Sequence, residues 1–350
     1  MVINSQYYEY SGIIHIHSRY SDGYGTTREI IKAAKKANLD YIIITDHNTL
    51  GAMEDGAEGW YGDLLLLVGE EIGGQGRSHY LAFGIADAIE SEDYHEDALL
   101  YMKAVKRQGG IGFIAHPEGL TSKSFDIHLA SWSVWDSRDY AGLEIWSYMY
   151  DWSENVTPFN ILYYYLRPKK AISGPPPGLL HRWDSLCKTR QIVGIGSSDI
   201  HAKYPLFLRF ARFLSYRRAF QGVKTHLLTP SPLSSSLDES KKLLYAALRS
   251  GHCFFAHDSL ADSTGFNFTA SVNGDQTLLM GDEIKLELEV ELEVISPVSA
   301  SLRLLCNGQL IGQENSGGKL TYKASQPGVY RVEARYKGEP WIYTNPIYLR

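Results

Sequence analysis

The chain has 350 residues, 44% of them hydrophobic and 21% charged, with a formal net charge of −6. The length predicts one large domain plus a smaller one, and the acidic balance argues against a nucleic-acid surface, where a basic stripe is expected. The amino terminus MVINSQYYEYSG lacks a signal-peptide pattern and no run approaches the roughly 18 apolar residues of a membrane span, so a cytoplasmic protein with no membrane partner is expected.

Strands are predicted near residues 12–17, 41–45, 64–68, 79–84, 111–115, 142–146 and 192–196. Helical patterns separate most of them. Thr26 to Glu29 caps the apolar-periodic IIKAAKKANL, and HEDALLYMKAVKRQGG stops at paired glycines. Seven β/α repeats point to a (β/α)7 TIM-like barrel, one unit short of the common eight. TPSPLSSS (229–236) reads as a loop before another capped helix, DESKKLLYAALRS. A domain boundary is expected at ADSTG (261–265), giving 1–260 as the barrel and 261–350 as a small antiparallel β-sandwich. The latter alternates strictly and carries Asn-Gly turns at 273–274 and 307–308.

Chemistry concentrates at the ends of the predicted strands. His15 and His17 alternate with isoleucines in HIHSRYSDG, with Asp22 in the following turn; then come Asp46 and His47, Glu70 and Glu71, His79, His116, and Asp199 and His201. A lone His-x-His is weak, but these clusters follow short apolar runs that read as buried parallel strands, whose carboxyl ends carry the chemistry of alternating β/α folds. Imidazole and carboxylate together suit Zn, Mn or Fe. Cys187, Cys253 and Cys306 lack metal-ligand spacing and suggest no disulfide framework.

The order His-x-His, Ser-Asp-Gly, Thr-Asp-His, Gly-x-Glu, His, His-Pro, Asp-x-His resembles the PHP (polymerase and histidinol phosphatase) family of metal-dependent hydrolases over roughly the first three quarters of the chain. WIYTNPIYLR and the β-rich segment before it look more like the CehA/McbA branch. The resemblance implies a distorted seven-stranded barrel and two or three divalent transition metals. His15, His17, Glu71 and Asp199 would hold one; Glu71 would bridge to a second held by His79 and His116; Asp22, His47 and His201 would hold a third. Glu71 is preferred to Glu70 because the family pattern is Gly-x-Glu and adjacent strand residues face opposite ways.

The activity so implied is hydrolysis of a small-molecule or nucleotide phosphoester by metal-activated hydroxide, with Glu71 and Asp199 at the catalytic centre. Arg19 and Lys203 are the basic candidates for gripping phosphate, while Arg209, Arg212, Arg217 and Arg218 read as a solvated helix face. The alternative is ester, carbamate or amide hydrolysis of CehA/McbA type; complete ligand motifs count against a non-catalytic binding module. Asp46 is either a partner that orients a ligand or a helix cap. The aromatic stretch from Ser131 to Trp183 reads as a lid that stacks a planar ligand or as an ordinarily packed insertion. Oligomeric state is left open.

Overall fold

The computed structural model describes all residues except 1, 4–6, 75, 95–96, 123–126, 158, 203–214, 275 and 288. The architecture is mixed α/β, built on one large sheet. Tyr41–His47 (YIIITDH) and Leu64–Ile72 (LLLLVGEEI) are buried along almost their whole length because apolar side chains occupy both faces. They pair in parallel, and Tyr41–His47 also pairs in parallel with Tyr7–Ile13. On the other side, Ile111–Ile114, Gly142–Ser147 and Val193–Ser197 form a second parallel set. Backbone bonds from Ser198 N to Ile14 O (3.0 Å), Asp199 N to His15 O (2.8 Å) and His17 N to Ile200 O (3.0 Å) bring that set back to the first.

Strict β/α alternation breaks between Ile111–Ile114 and Gly142–Ser147, where the described elements are the hairpin of Leu120–Ser122 and Ile127–Leu129, and again after Leu64–Ile72. Only residues 73–79 separate Leu64–Ile72 from Tyr80–Phe83, whereas a parallel crossover needs roughly a dozen residues. Tyr80–Phe83 therefore pairs antiparallel with both Leu64–Ile72 and Ile111–Ile114. Val223–Thr229 adds a further antiparallel strand against Tyr7–Ile13. The strand expected over 12–17 ends at Ile13, since His15 takes φ 67° and leaves the extended region; Ile16 returns as an isolated bridge to Ile200.

The helices follow their local signals. Thr26 and Glu29 form a reciprocal capping box for Thr27–Lys36, whose buried residues are Ile30, Ala33 and Ala34. Asp97 caps Ala98–Arg107, and Ser236 caps Leu237–Ser250, which ends at Gly251 in the left-handed conformation. Among the described residues no helix is long and apolar enough to cross a membrane.

Among the described residues, every element from Asn267 onward is a strand. Asn267–Val272, Gln276–Leu279, Val290–Ile295 and Lys319–Ala324 form one antiparallel sheet. Ser301–Cys306, Gln309–Glu314, Gly328–Tyr336 and Glu339–Thr344 form another antiparallel group. Phe268, Leu292, Leu302, Val332 and Trp341 share one core. Asn273-Gly274 and Asn307-Gly308 both take positive φ at their turns, the second forming the two-residue loop between Cys306 and Gln309. Glu339–Thr344 pairs with Cys253–His257, so the large sheet continues across residues 261–265. Arg331 is buried against Asp184, and Asn345 bonds both N and O of Gly194.

A buried polar cluster sits at this junction. His226 Nδ1 lies 2.6 Å from Glu9 Oε1 and Nε2 lies 3.3 Å from Asp258 Oδ2; Lys224 also reaches Asp258, and the Ser263 hydroxyl donates to it. Against burial, which alone would lower it, Asp258 and Glu9 hold the His226 imidazole up to about 9. A raised folded-state value stabilises fully below the unfolded value of about 6.5 and the contribution fades as pH rises through about 9. Urea midpoints at pH 6 and pH 9.5 should show the wild type losing roughly 3 kcal/mol more than His226→Gln over this interval; identical pH profiles would remove the ion pair from the account.

Candidate metal centre

Glu71 is the hub of the site. Its Oε2 lies 3.1 Å from Nε2 of His15 and of His17 and 3.3 Å from His47 Nδ1; its Oε1 lies 2.9 Å from His79 Nδ1 and 3.1 Å from His116 Nε2. Asp199 Oδ1 stands 3.3 Å from Nε2 of both His15 and His17. Asp22 Oδ1 is 3.1 Å from His201 Nε2, 3.7 Å from His17 Nδ1 and 3.8 Å from His47 Nε2. Side chains from six separated segments thus meet around one buried carboxylate.

The donor set fits divalent cations. His15 Nε2 and both ring nitrogens of His17 are buried and make no hydrogen bond, although Glu71 Oε2 is 3.1 Å from each Nε2. Nitrogen and oxygen lone pairs converge on common points rather than pairing donor with acceptor, which is what a cation requires. Three such groups occur among the described residues: His15, His17, Glu71 and Asp199; His17, Asp22, His47 and His201; and His47, Glu71 and His79. The first is the set the resemblance implies. In the other two, His17 joins the Asp22 group and His47 joins the Glu71–His79 group, with His116 at the same Glu71 oxygen as His79.

Charge and burial act together here. Burial takes the His47 imidazole down to about 3 despite Glu71, leaving it neutral with one ring-nitrogen lone pair to offer. Against burial, Asp199 and Glu71 hold His17 up to about 9. Burial opposes ionisation of Glu71, but His15, His47 and His79 pull its carboxyl well below the usual range. Backbone strain concentrates at the same place: His15, His116 and Asp199 are non-glycine residues with φ of 67°, 26° and 53°. Such conformations persist only where surrounding contacts over-determine them.

Neighbouring residues shape the site without entering it. Asp46 accepts from Ser18 N, Ser18 Oγ and Ser21 Oγ at 2.6–2.7 Å and so fixes the turn bearing Asp22. It caps no helix, since Gly51–Glu54 starts at Leu50 without a side-chain cap bond. In that turn a Cβ on Gly23 would meet His17 O at 2.3 Å, which explains Ser-Asp-Gly. Glu70 faces away from Glu71 and accepts from Ile89 N with both oxygens; burial pushes its carboxyl up to about 8.

Arg19 is exposed at the rim, its Nε donating to Tyr24 O at 3.0 Å. Lys203, like Arg209 and Arg212, lies outside the described residues; Arg217 is exposed and Arg218 half-buried. Trp132, Trp146, Tyr148, Tyr150, Trp152 and Trp183 are buried, so most of the aromatic stretch is packing rather than a stacking lid. A recess beside His116 is nevertheless lined by Glu118, Trp146, Tyr150 and Glu154.

Glu144 was not singled out by the sequence. It is fully buried on Gly142–Ser147, with Oε1 2.7 Å from His15 Nδ1 and Oε2 accepting from His116 N at 2.6 Å. An acidic residue inside the apolar run GLEIW was the available signal.

Residues 14–121 match the family model of the PHP domain. An uncharacterised protein of Methanocaldococcus jannaschii is 27% identical over 151 residues, covering 37% of this chain and 84% of that protein. Among solved structures, a two-domain Bacteroides vulgatus protein containing a predicted PHP-like metal-dependent phosphoesterase is similar at 16% identity and a TM-score of 0.46, over 99% of this chain and 97% of that one. Endonuclease Q, bound to a 27-mer duplex with an abasic lesion, is similar at 11% identity and a TM-score of 0.37, over 68% of this chain and 57% of that one. His15, His17, Asp22, His47, Glu71, His79 and His116 all fall inside the matched segment. Family match and ligand geometry coincide: residues 14–121 match the PHP domain, and most of the clustered side chains able to hold metal ions lie within them.

Proposed function

We propose that the protein hydrolyses a phosphoester of a small molecule or nucleotide, using two or three divalent ions (Zn, Mn or Fe) held by His15, His17, Asp22, His47, Glu71, His79, His116, Asp199 and His201. The observation that carries this reading is Glu71, whose two oxygens face five imidazoles. Divalent ions, when bound there, polarise substrate oxygens and acidify water near neutral pH. Glu71 draws two ligand groups together, Asp199 joins the first of them, and the exposed guanidinium of Arg19 is available to a phosphate at the rim.

A phosphoester brings several negative oxygens, which match a multi-cation site; a neutral ester or carbamate requires only one polarising ion. The catalytic body is read as residues 1–260, a distorted seven-stranded barrel. The pairings that run from Tyr7–Ile13 to Val193–Ser197, and the backbone bonds from Ser198–Ile200 back to Ile14–His17, support that reading. Residues 261–350 are read as a β-sandwich docked on it.

Loaded with Mn or Zn, the protein should hydrolyse an aryl phosphate or nucleotide phosphate at least about tenfold faster than an aryl acetate or carbamate, a gap of about 1.4 kcal/mol in barrier. Inorganic phosphate should inhibit competitively. Faster turnover of the carbonyl substrates, without phosphate inhibition, would replace the phosphoesterase reading with a CehA/McbA-type activity.

A further inference from the structure

We propose that Glu144 is a positioning residue for the metal centre: its carboxylate sets the tautomer of His15 and anchors the backbone of His116, so that both imidazoles face Glu71. The inference rests on the metal-dependent reading above. Glu144 lies on the strand between Ile111–Ile114 and Val193–Ser197, is fully buried, and among the described residues forms an ion pair with His15 and with no lysine or arginine. A buried carboxylate is costly to keep, and every bond it makes here goes to a residue of the site.

The donor and acceptor roles follow from chemistry. His116 N–H can only donate, which commits Glu144 Oε2 as an acceptor. An ionised carboxylate accepts at its other oxygen as well, so His15 Nδ1 carries the proton in the 2.7 Å contact. That leaves the lone pair of His15 on Nε2, the atom beside Glu71 Oε2 and Asp199 Oδ1 that makes no hydrogen bond. Carboxylate–imidazole pairs of this kind fix ring orientation and raise the basicity of the inner nitrogen. For His201 a backbone carbonyl plays the corresponding part, Asp199 O lying 3.0 Å from Nδ1.

Strain points the same way. His15 and His116 both adopt left-handed φ at the ends of different strands, and Glu144 bonds one atom of each. One carboxylate therefore ties together two residues from the two sides of Glu71.

Glu144→Gln makes a sharp test. The amide oxygen must stay on His116 N–H, so the NH2 group faces His15 Nδ1 and forces it to accept, moving the ring proton to Nε2. In zinc-loaded wild type, long-range 1H–15N spectra should place the His15 proton on Nδ1. In Glu144→Gln the proton should move to Nε2, and one zinc should bind about 10–100-fold more weakly while the remaining zinc affinity and the thermal midpoint hold. Wild-type zinc stoichiometry and affinity in Glu144→Gln, or a wild-type His15 proton on Nε2, would overturn the proposal. If Glu144→Gln fails to fold, the wild-type tautomer decides alone. A wild type that takes up no zinc would sink the metal-dependent reading together with this one, whereas zinc binding with the expected tautomer but no phosphoesterase activity would sink only the substrate assignment.

Discussion

Glu71→Gln should lose more than one equivalent of metal and nearly all activity, whereas Glu70→Gln should keep its metal. The two carboxylates are adjacent in sequence and buried to the same degree, so composition and burial do not distinguish them. Geometry does. Glu71 faces imidazoles of two groups through its two oxygens, so replacing one oxygen by an amide puts a donor where a cation needs a lone pair and disturbs both groups together. Single elements of electrostatic stabilisation are worth on the order of 10²–10³ in rate, and losing more than one ion removes several. Glu70 instead receives Ile89 N, a bond that a glutamine oxygen still accepts. Elemental analysis after dialysis against buffered free zinc is the measurement. Equal metal loss in the two variants would end the case for Glu71 as the bridge.

Arg331→Met should be the most damaging substitution outside the metal centre. The guanidinium is buried in a two-pronged pair with Asp184, Nε to Oδ1 at 2.6 Å and the second prong at 2.8 Å, and it also bonds Glu333. Removing it strands the Asp184 carboxylate in the interior, which costs about 3–5 kcal/mol. For a chain of 350 residues about 1 kcal/mol shifts the midpoint by roughly 1.4 °C, so it should fall by about 4–7 °C. Pairing the change with Asp184→Asn should recover part of the loss, because no unpaired charge then remains. An unchanged midpoint in Arg331→Met would show that the ion pair contributes nothing net. The same contacts imply that a chain cut near residue 260 aggregates, since it would expose the apolar strand Cys253–His257 and leave Asp184 without its guanidinium.

Legibility in the sequence tracked how local each feature is. The cap at Thr26–Glu29, the capped helix that runs to Ser250 and the two Asn-Gly turns depend on residues a few positions apart, and each is present where the pattern placed it. The antiparallel Tyr80–Phe83 was readable in principle from the short 73–79 connection, but an apolar run carries no direction and the β/α rhythm around it suggested parallel. The aromatic stretch left two readings open, because tryptophan and tyrosine serve cores as readily as ligand surfaces; the fold buries most of it.

Residue chemistry brought out eleven histidines and acids at the ends of apolar runs, and the family resemblance narrowed them to nine that include Glu71. Histidines and acids stand out at the ends of apolar strands, where an unpaired polar group is too costly to keep without a partner. Which nitrogen faces which oxygen, the sharing of His17 and His47 between groups, and the part played by Glu144 were decided only when the strands packed. Glu144 meets His15 across 129 residues and Arg331 meets Asp184 across 147, and such pairings leave no mark on local periodicity. A buried carboxylate in GLEIW announces that it needs a partner; only the folded chain, by closing that distance, supplies one.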